Sequence, residues 1–292
     1  MSKDDFATFK APEGKDVKLA KWSTRVKPIY KSKEQYEAML RDHVARMAEA
    51  QKRLFACGRR ALLVVFQGMD AAGKDSMIHN VFTGINPQGC RVTGFKQPSA
   101  TELKHDFLWR CVRELPEHGQ IGIFNRSYYE EVLVTRVHPE FLGAQNVPGL
   151  SDMKKFWKRR YETIVDFERH LENCGTEVVK FYLHMSKDEQ RQRFLSRIDD
   201  PEKNWKFNAQ DVKERALWGE YRKAYEHAIA ATTTDTSPWY IIPSDDKENA
   251  RLMVATILAD KLDGLEKDFP KLPAAQKKQL GNLRQALVAE GK

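Results

Sequence analysis

The run LLVVFQGMDAAGKDS, Leu62 to Ser76, constrains the fold more than any other stretch of this chain. Leu62 to Phe66 are consecutive apolar residues, the pattern of a short strand buried on both faces of a parallel sheet. Gly68 to Lys74 then read G-x-x-x-x-G-K, and Met77, Ile78, Val81 and Phe82 follow at helical spacing. Strand, glycine loop and helix in that order predict a phosphate cradle. Gly68, Ala71, Ala72, Gly73 and Asp75 would line it, with backbone N–H groups turned inward at the positive end of a helix. Lys74 would reach the outer phosphates. A tight strand-to-helix turn with a surface lysine is the blander alternative.

The motif departs from its usual form at two places. After the lysine stands Asp75, where a Ser or Thr hydroxyl commonly meets Mg²⁺, and Ser76 comes one step late. A carboxylate, Asp70, also sits inside the loop. A bare carboxylate among phosphates needs a cation between them. Asp70 therefore reads as a direct or water-mediated Mg²⁺ partner, against the alternative of a loop-capping Asp bonded to local N–H groups.

Along the chain, strands alternate with helices. Residues 1–31 read as an irregular arm, and a helix from Ser32 to about Gly58 leads into the glycine-loop strand. Further strands are expected at Cys90–Phe95, Gln120–Asn125, Glu177–Met185 and Trp239–Pro243. Between them, helices are expected from Ser99 to Leu115, Arg126 to Val137, Ser151 to Cys174, from Ser186 on, and from Gln210 to Ala231. Two helical stretches around Pro270 and Pro273 close the chain. This alternation predicts an α/β fold: a mainly parallel five-stranded sheet covered on both faces. The expected division is an arm at 1–31, a kinase-like domain at 32–265 with a lid near 187–210, and a helical extension at 266–292.

In open parallel sheets, ligands bind beyond the carboxyl ends of the strands. The third expected strand ends in Asn125, Arg126, Ser127, Tyr128, Tyr129, Glu130 and Glu131. Many phosphate-loop enzymes supply a metal-binding Asp here. Asn125 lacks the charge, so Glu130 or Glu131 is the candidate, and Arg126 would meet the transferring phosphate. These residues would equally suit an ordinary helix start. A second cluster joins Arg191, Arg193 and Arg197 to Lys203 and Lys206, a candidate cationic lid or simply a solvated charged face. Trp205, Trp218 and Trp239 are candidates for base stacking or for core, and Asp245, Asp246 and Lys247 for nucleotide contact or helix capping.

A net charge of +8 favours an anionic partner: nucleic acid, an acidic membrane or polyphosphate. The four cysteines are widely spaced without C-x-x-C pairs, which suits free thiols in a reducing compartment. The polar opening MSKDDFATFKAPEG has no apolar core, and no run is long enough to span a membrane. A soluble cytoplasmic protein is expected.

GMDAAGKD after a strand, FNRSYYEE after a later one, the segment RFLSRIDDPEKNWKF and the stretch WYIIPSDDK together resemble the second family of polyphosphate kinases over about residues 30–265. The resemblance implies a P-loop kinase fold similar to thymidylate kinase, a three-layer α/β/α arrangement with a helical lid. It also implies Mg²⁺-dependent transfer of phosphoryl groups between inorganic polyphosphate and nucleotides, with Mn²⁺ as a substitute ion. By the same resemblance Asp70 holds metal, Lys74 and Arg126 bind phosphates, and Arg193 and Arg197 belong to the lid. Asn125, Tyr128 and the Glu130–Glu131 pair look more like members accepting both AMP and ADP, with Glu131 the metal candidate in place of the missing Asp. AMP, ADP, ATP and guanine nucleotides are the expected small partners, with no nucleic acid and no membrane. A homo-oligomer, dimer or tetramer, is expected. The acceptor is a phosphate oxygen already ionised at neutral pH, so direct in-line transfer needs neither a strong base nor a covalent intermediate. Two rivals stand beside this reading: an ATP-dependent nucleotide kinase of the same fold, and a non-catalytic polyanion or nucleic-acid binder.

Overall fold

The computed structural model describes residues 3–290, without the side chains of residues 3–5 and 206. Helix α1 (Lys33–Cys57) starts at Ser32, whose hydroxyl accepts the Gln35 N–H, and stops at Gly58 in a left-handed conformation. It leads into β1 (Ala61–Gln67), all of whose residues are buried, as its unbroken apolar run requires. The glycine loop and α2 (Lys74–Phe82) follow. After these come β2 (Cys90–Gly94), α3 (Trp109–Val112), β3 (Ile121–Asn125), α4 (Glu130–Val137) and α5 (Phe141–Ala144). Next are α6 (Met153–Asn173), β4 (Thr176–His184), α7 (Lys187–Asp199), α8 (Ala209–Ala216) and α9 (Trp218–Thr232). Strand β5 (Trp239–Pro243), α10 (Lys247–Leu265) and α11 (Ala274–Glu290) complete the chain.

The five strands run in the order β2-β3-β1-β4-β5, and every neighbouring pair is parallel. Because β1 lies at the centre, the chain leaves it toward β2 and β3 on one side and returns to β4 on the other. That reversal opens a crevice at the strand ends. In register, Phe66 of β1 stands between Asn125 of β3 and Phe181 of β4. The ends of β1 and β3 thus lie side by side, while β4 runs on to His184.

Helix α10 is buried around most of its circumference, including Leu252, Met253, Val254, Ala255, Leu258 and Ala259. It is enclosed between the sheet and α1, to which it is tied by Arg46–Asp260 at 2.6 Å and Arg53–Asp263 at 2.8 Å. The N-terminal segment is irregular, but it packs as part of the body. Its Ala11 N–H donates to the Trp239 carbonyl at 2.8 Å, and Val17 and Leu19 are buried.

Three helices differ from the sequence-based expectation. Between Ser99 and Leu115 there is a 3-10 turn at Glu102–Lys104 and the short α3, not one helix. The Ser99–Glu102 capping box does form, but Asp106 Oδ1 takes the Leu108 N–H at 2.9 Å and starts a new turn. Helix α4 begins at Glu130, four residues later than its polar start suggested, because Arg126 has φ +66° and cannot continue a right-handed helix. The 210–231 helix is split at Leu217, whose N–H turns back to the Glu214 carbonyl.

Candidate active site

The glycine loop, residues 68–73, closes on itself at the end of β1. A Cβ on Gly68 would lie 3.0 Å from the Ala72 Cβ and 3.2 Å from the Leu183 carbonyl oxygen, so only glycine lets the loop approach β4 this closely. Gly73 caps α2 at φ +100°. The Lys74 ammonium lies within the loop and donates to the carbonyls of Gly68 at 2.7 Å and Met69 at 3.3 Å. Burial pushes its pKa down to about 8, and the nearby Arg126 guanidinium adds to the effect.

The end of β3 supplies the facing wall. Arg126, in its left-handed conformation, donates its N–H to the Phe66 carbonyl at 3.0 Å, tying β3's exit to β1. Its guanidinium then spans two carboxylates, Asp70 Oδ1 at 3.0 Å and Glu130 Oε2 at 3.4 Å. The Asn125 amide donates to Asp75 Oδ1. Burial raises the Glu130 pKa while Arg126 and Lys74 oppose that rise. Asp70, Lys74, Asn125, Arg126 and Glu130 are therefore brought together.

Glu131 is not. One residue further along a helix is a turn of about 100°, which aims this side chain away from the loop. Its carboxylate is buried beside Arg160 Nη1 at 3.3 Å and takes a hydrogen bond from the Gln145 amide. Arg160 is itself held between the Phe107 and Phe156 rings. The expectation that Glu131 holds metal is withdrawn; Glu130 is the carboxylate that stands opposite Asp70.

The basic cluster is also arranged differently from expectation. Arg193 is buried, and its guanidinium faces the back of the loop. Its Nη1 donates to the carbonyls of Ala71 at 3.0 Å and Ala72 at 2.8 Å, its Nη2 to the Ser244 carbonyl, and its Nε to Glu189 at 2.8 Å. These bonds brace the loop from behind. Arg197 reaches Asp211 of α8 at 3.5 Å, and Lys203 pairs with Asp200 at an exposed turn. The Lys206 side chain lies outside the described residues. Arg193→Ala should leave buried carbonyls and Glu189 without their donor, costing about 3 kcal/mol of stability. Urea denaturation of the variant reads that loss, and an unchanged midpoint would remove the bracing role.

The cleft beside the loop has a polar floor and an aromatic wall. Asp70, Arg126 and Glu130 form the floor; Trp218, Tyr221 and Tyr225 of α9 form the wall, with Leu133 and Val134 of α4 completing it. These three aromatics lie at i, i+3 and i+7 on one helix face. In the sequence that spacing suits core as well as a cleft, so only Trp218 was considered. Gln190 was missed altogether; its amide donates to the Asp70 carbonyl at 2.9 Å. Of the other tryptophans considered for stacking, Trp239 is fully buried. Asp245 and Asp246 have structural roles. Asp245 accepts the Ser186 N–H and the Thr24 hydroxyl, each at 2.8 Å, and Asp246 caps α10 through the Asn249 N–H at 3.0 Å.

Among the described residues, no group of three or more His, Cys, Asp or Glu side chains is placed to hold a metal ion alone. Mg²⁺ in phosphoryl-transfer sites takes one or two carboxylates and completes its octahedron with substrate phosphates and water. Asp70 and Glu130, joined through one guanidinium, fit that requirement.

Comparison with known proteins gives concordant results. The model of the polyphosphate kinase 2 family matches residues 30–270. An ADP-polyphosphate phosphotransferase from Rhodopseudomonas palustris is 54% identical over 281 residues, covering 96% of this chain and 97% of that protein. An AMP/ADP-polyphosphate phosphotransferase from Meiothermus ruber is 45% identical over 233 residues, covering 80% of this chain and 83% of its own length. The crystal structure of polyphosphate kinase 2 from Arthrobacter aurescens superimposes with a TM-score of 0.83 at 38% identity, covering 94% of each chain.

Proposed function

The chain belongs to the polyphosphate kinase 2 family, and from that premise we propose that it moves a phosphoryl group between inorganic polyphosphate and ADP or AMP. The observation that carries the reading is the convergence of Lys74 and Arg126 on a glycine loop, with the Asp70 and Glu130 carboxylates beside them. A lysine inside such a loop and an arginine facing it suit charge on a transferring phosphoryl group, where positioning and electrostatics supply most of the catalysis. Lys74 and Arg126 hold the phosphates, the loop N–H groups orient them, and Arg193 keeps the loop in shape from behind. The aromatic wall of α9 suits a nucleoside, whose base offers an apolar face. The acceptor phosphate is ionised without help, so transfer proceeds in line with no covalent protein intermediate. Bound Mg²⁺, with Mn²⁺ as substitute, would be held by Asp70 and Glu130 and would neutralise charge on the phosphate oxygens.

No helix among the described residues is long and apolar enough to cross a membrane, and the cysteines are free thiols. The free thiols support placement in the reducing cytoplasm. The exposed Leu280, Leu283 and Leu287 of α11 support a homo-oligomer.

The test of function offers AMP and ADP separately with ATP-free polyphosphate and Mg²⁺, and reads products by chromatography. ADP and ATP from AMP, and ATP from ADP, are expected. Phosphorylation only when ATP is the donor would favour the nucleotide kinase, and no product with any donor would favour the polyanion binder. Phosphate binding should also depend on pH. The Lys74 ammonium is present below a pH of about 8 and is lost above it in the free protein. The advantage of the parent over Lys74→Ala in binding a short polyphosphate should therefore shrink as pH rises through that value, by up to about tenfold per pH unit. Calorimetry on both proteins cancels the ligand's own titration, and a constant ratio would sink this assignment.

A further inference from the structure

Beneath the turn that carries Arg126 and Glu130 lies a buried ion pair that takes no direct part in the transfer. Glu168 of α6 and Lys180 of β4 are 2% and 0% exposed, and their charged groups are in contact. The ammonium also donates to the Thr232 carbonyl at 2.8 Å and to the Tyr129 hydroxyl at 3.2 Å. The other carboxylate oxygen of Glu168 accepts the hydroxyls of Tyr128 at 2.8 Å and Tyr129 at 2.9 Å. Burial raises both tyrosine pKa values well above the ordinary phenol, so both remain donors across the working range.

Stability gives little reason for such a pair, because apolar residues of similar volume commonly do as well or better. Its position gives a reason. Tyr128 and Tyr129 lie between Arg126 and Glu130, in the turn from β3 to α4. From the strand side, the Arg126 N–H bonds to Phe66, and the Ser127 hydroxyl accepts from the Gln67 amide at 3.2 Å. From below, both phenols bond to one carboxylate oxygen. Arg126 has φ +66°, a backbone state that persists only where its surroundings impose it. Through Thr232 the same pair reaches the end of α9, the helix that walls the cleft. Both sides of the cleft are thereby referenced to one buried point.

We propose that Glu168 is a positioning residue for phosphoryl transfer: held by Lys180 and gripping the Tyr128 and Tyr129 hydroxyls, it fixes the turn that presents Arg126 and Glu130 to the glycine loop. The kinetic consequence rests on the phosphotransferase reading, whereas the structural one does not. A misplacement of about 1 Å at such a site costs on the order of 10²-fold in rate.

The test is the Tyr128→Phe/Tyr129→Phe variant of the full chain, which removes the grip and keeps the rings. The expected result is a fall in kcat of at least about tenfold, with KM for polyphosphate and ADP unchanged within about twofold. Hydrogen exchange of the amides at 127–131 should quicken by a similar factor while the strands keep their protection. Glu168→Leu combined with Lys180→Met, which removes both charges and the shared acceptor together, should reproduce the loss of kcat. Ile164→Val, at a buried position of the same helix, is the stability control and should leave kcat unchanged. If the double tyrosine variant fails to fold, Tyr128→Phe alone is judged by the same split between kcat and KM. Unchanged kcat and exchange would overturn the proposal. So would a fall in kcat that only tracks global stability, as judged against the Ile164→Val control. If the parent itself transfers no phosphoryl group, the functional reading fails on the parent, and hydrogen exchange alone decides the positioning role.

Discussion

Replacing Lys74 with alanine should lower phosphoryl transfer by about 10³-fold, or about 4 kcal/mol of transition-state stabilisation. The ammonium is held by the carbonyls of Gly68 and Met69, while Arg193 is committed to those of Ala71 and Ala72 at the back of the loop, so it cannot take the place of Lys74 without moving the backbone. The fold should survive. Lys74 begins α2, while the core beneath it is built from β1, β3 and β4, none of which depends on the ammonium. Thermal melting followed by circular dichroism checks the second half of the statement, and turnover from polyphosphate checks the first. Retained turnover with an intact fold would remove the glycine loop from the chemistry.

Asp70→Asn should lower kcat by about 10²-fold and raise the Mg²⁺ concentration needed for half-maximal rate. The change keeps the shape of the side chain and its bond from Arg126, but removes the charge that a divalent ion would meet. Titration of Mg²⁺ at saturating substrates separates loss of metal affinity from loss of rate. Glu131→Gln serves as the internal comparison. Its carboxylate is committed to Arg160, so the variant should lose stability and keep its metal dependence. If Glu131→Gln instead raises the Mg²⁺ requirement as Asp70→Asn does, the assignment of Glu130 over Glu131 is wrong.

Much of this site was visible in the sequence, because chain connectivity itself brings it together. The glycine loop must follow its strand, and the polar run after Phe124 must emerge at the same edge once both strands are parallel neighbours. The choice between Glu130 and Glu131 was harder to read. It depends on where α4 begins, and the left-handed Arg126 delays that start by a few residues. Arg193 was recognised as important but assigned to a different partner. Its sequence shows a cation near other cations, whereas its partners are backbone carbonyls of a loop more than a hundred positions earlier. Nothing local encodes such a contact. The same holds for Glu168 and Lys180, which in sequence look like members of an amphipathic helix and a strand.

The brace formed by Arg193 also limits how the expected lid segment, residues 187–210, could move. Helix α7 is fixed at its start by the Ser186–Asp245 bond, one turn later by Gln190 and two turns later by Arg193, both on the loop. A rigid-body opening of the whole segment would have to break these contacts and distort the cradle itself. Any opening here would therefore hinge beyond Arg193, and the part free to move would reduce to the end of α7, the turn through Asn204 and the start of α8. The Arg197–Asp211 pair joins the two arms of that short segment, so it would bend as one piece, like a fingertip, while the body of the enzyme stays still.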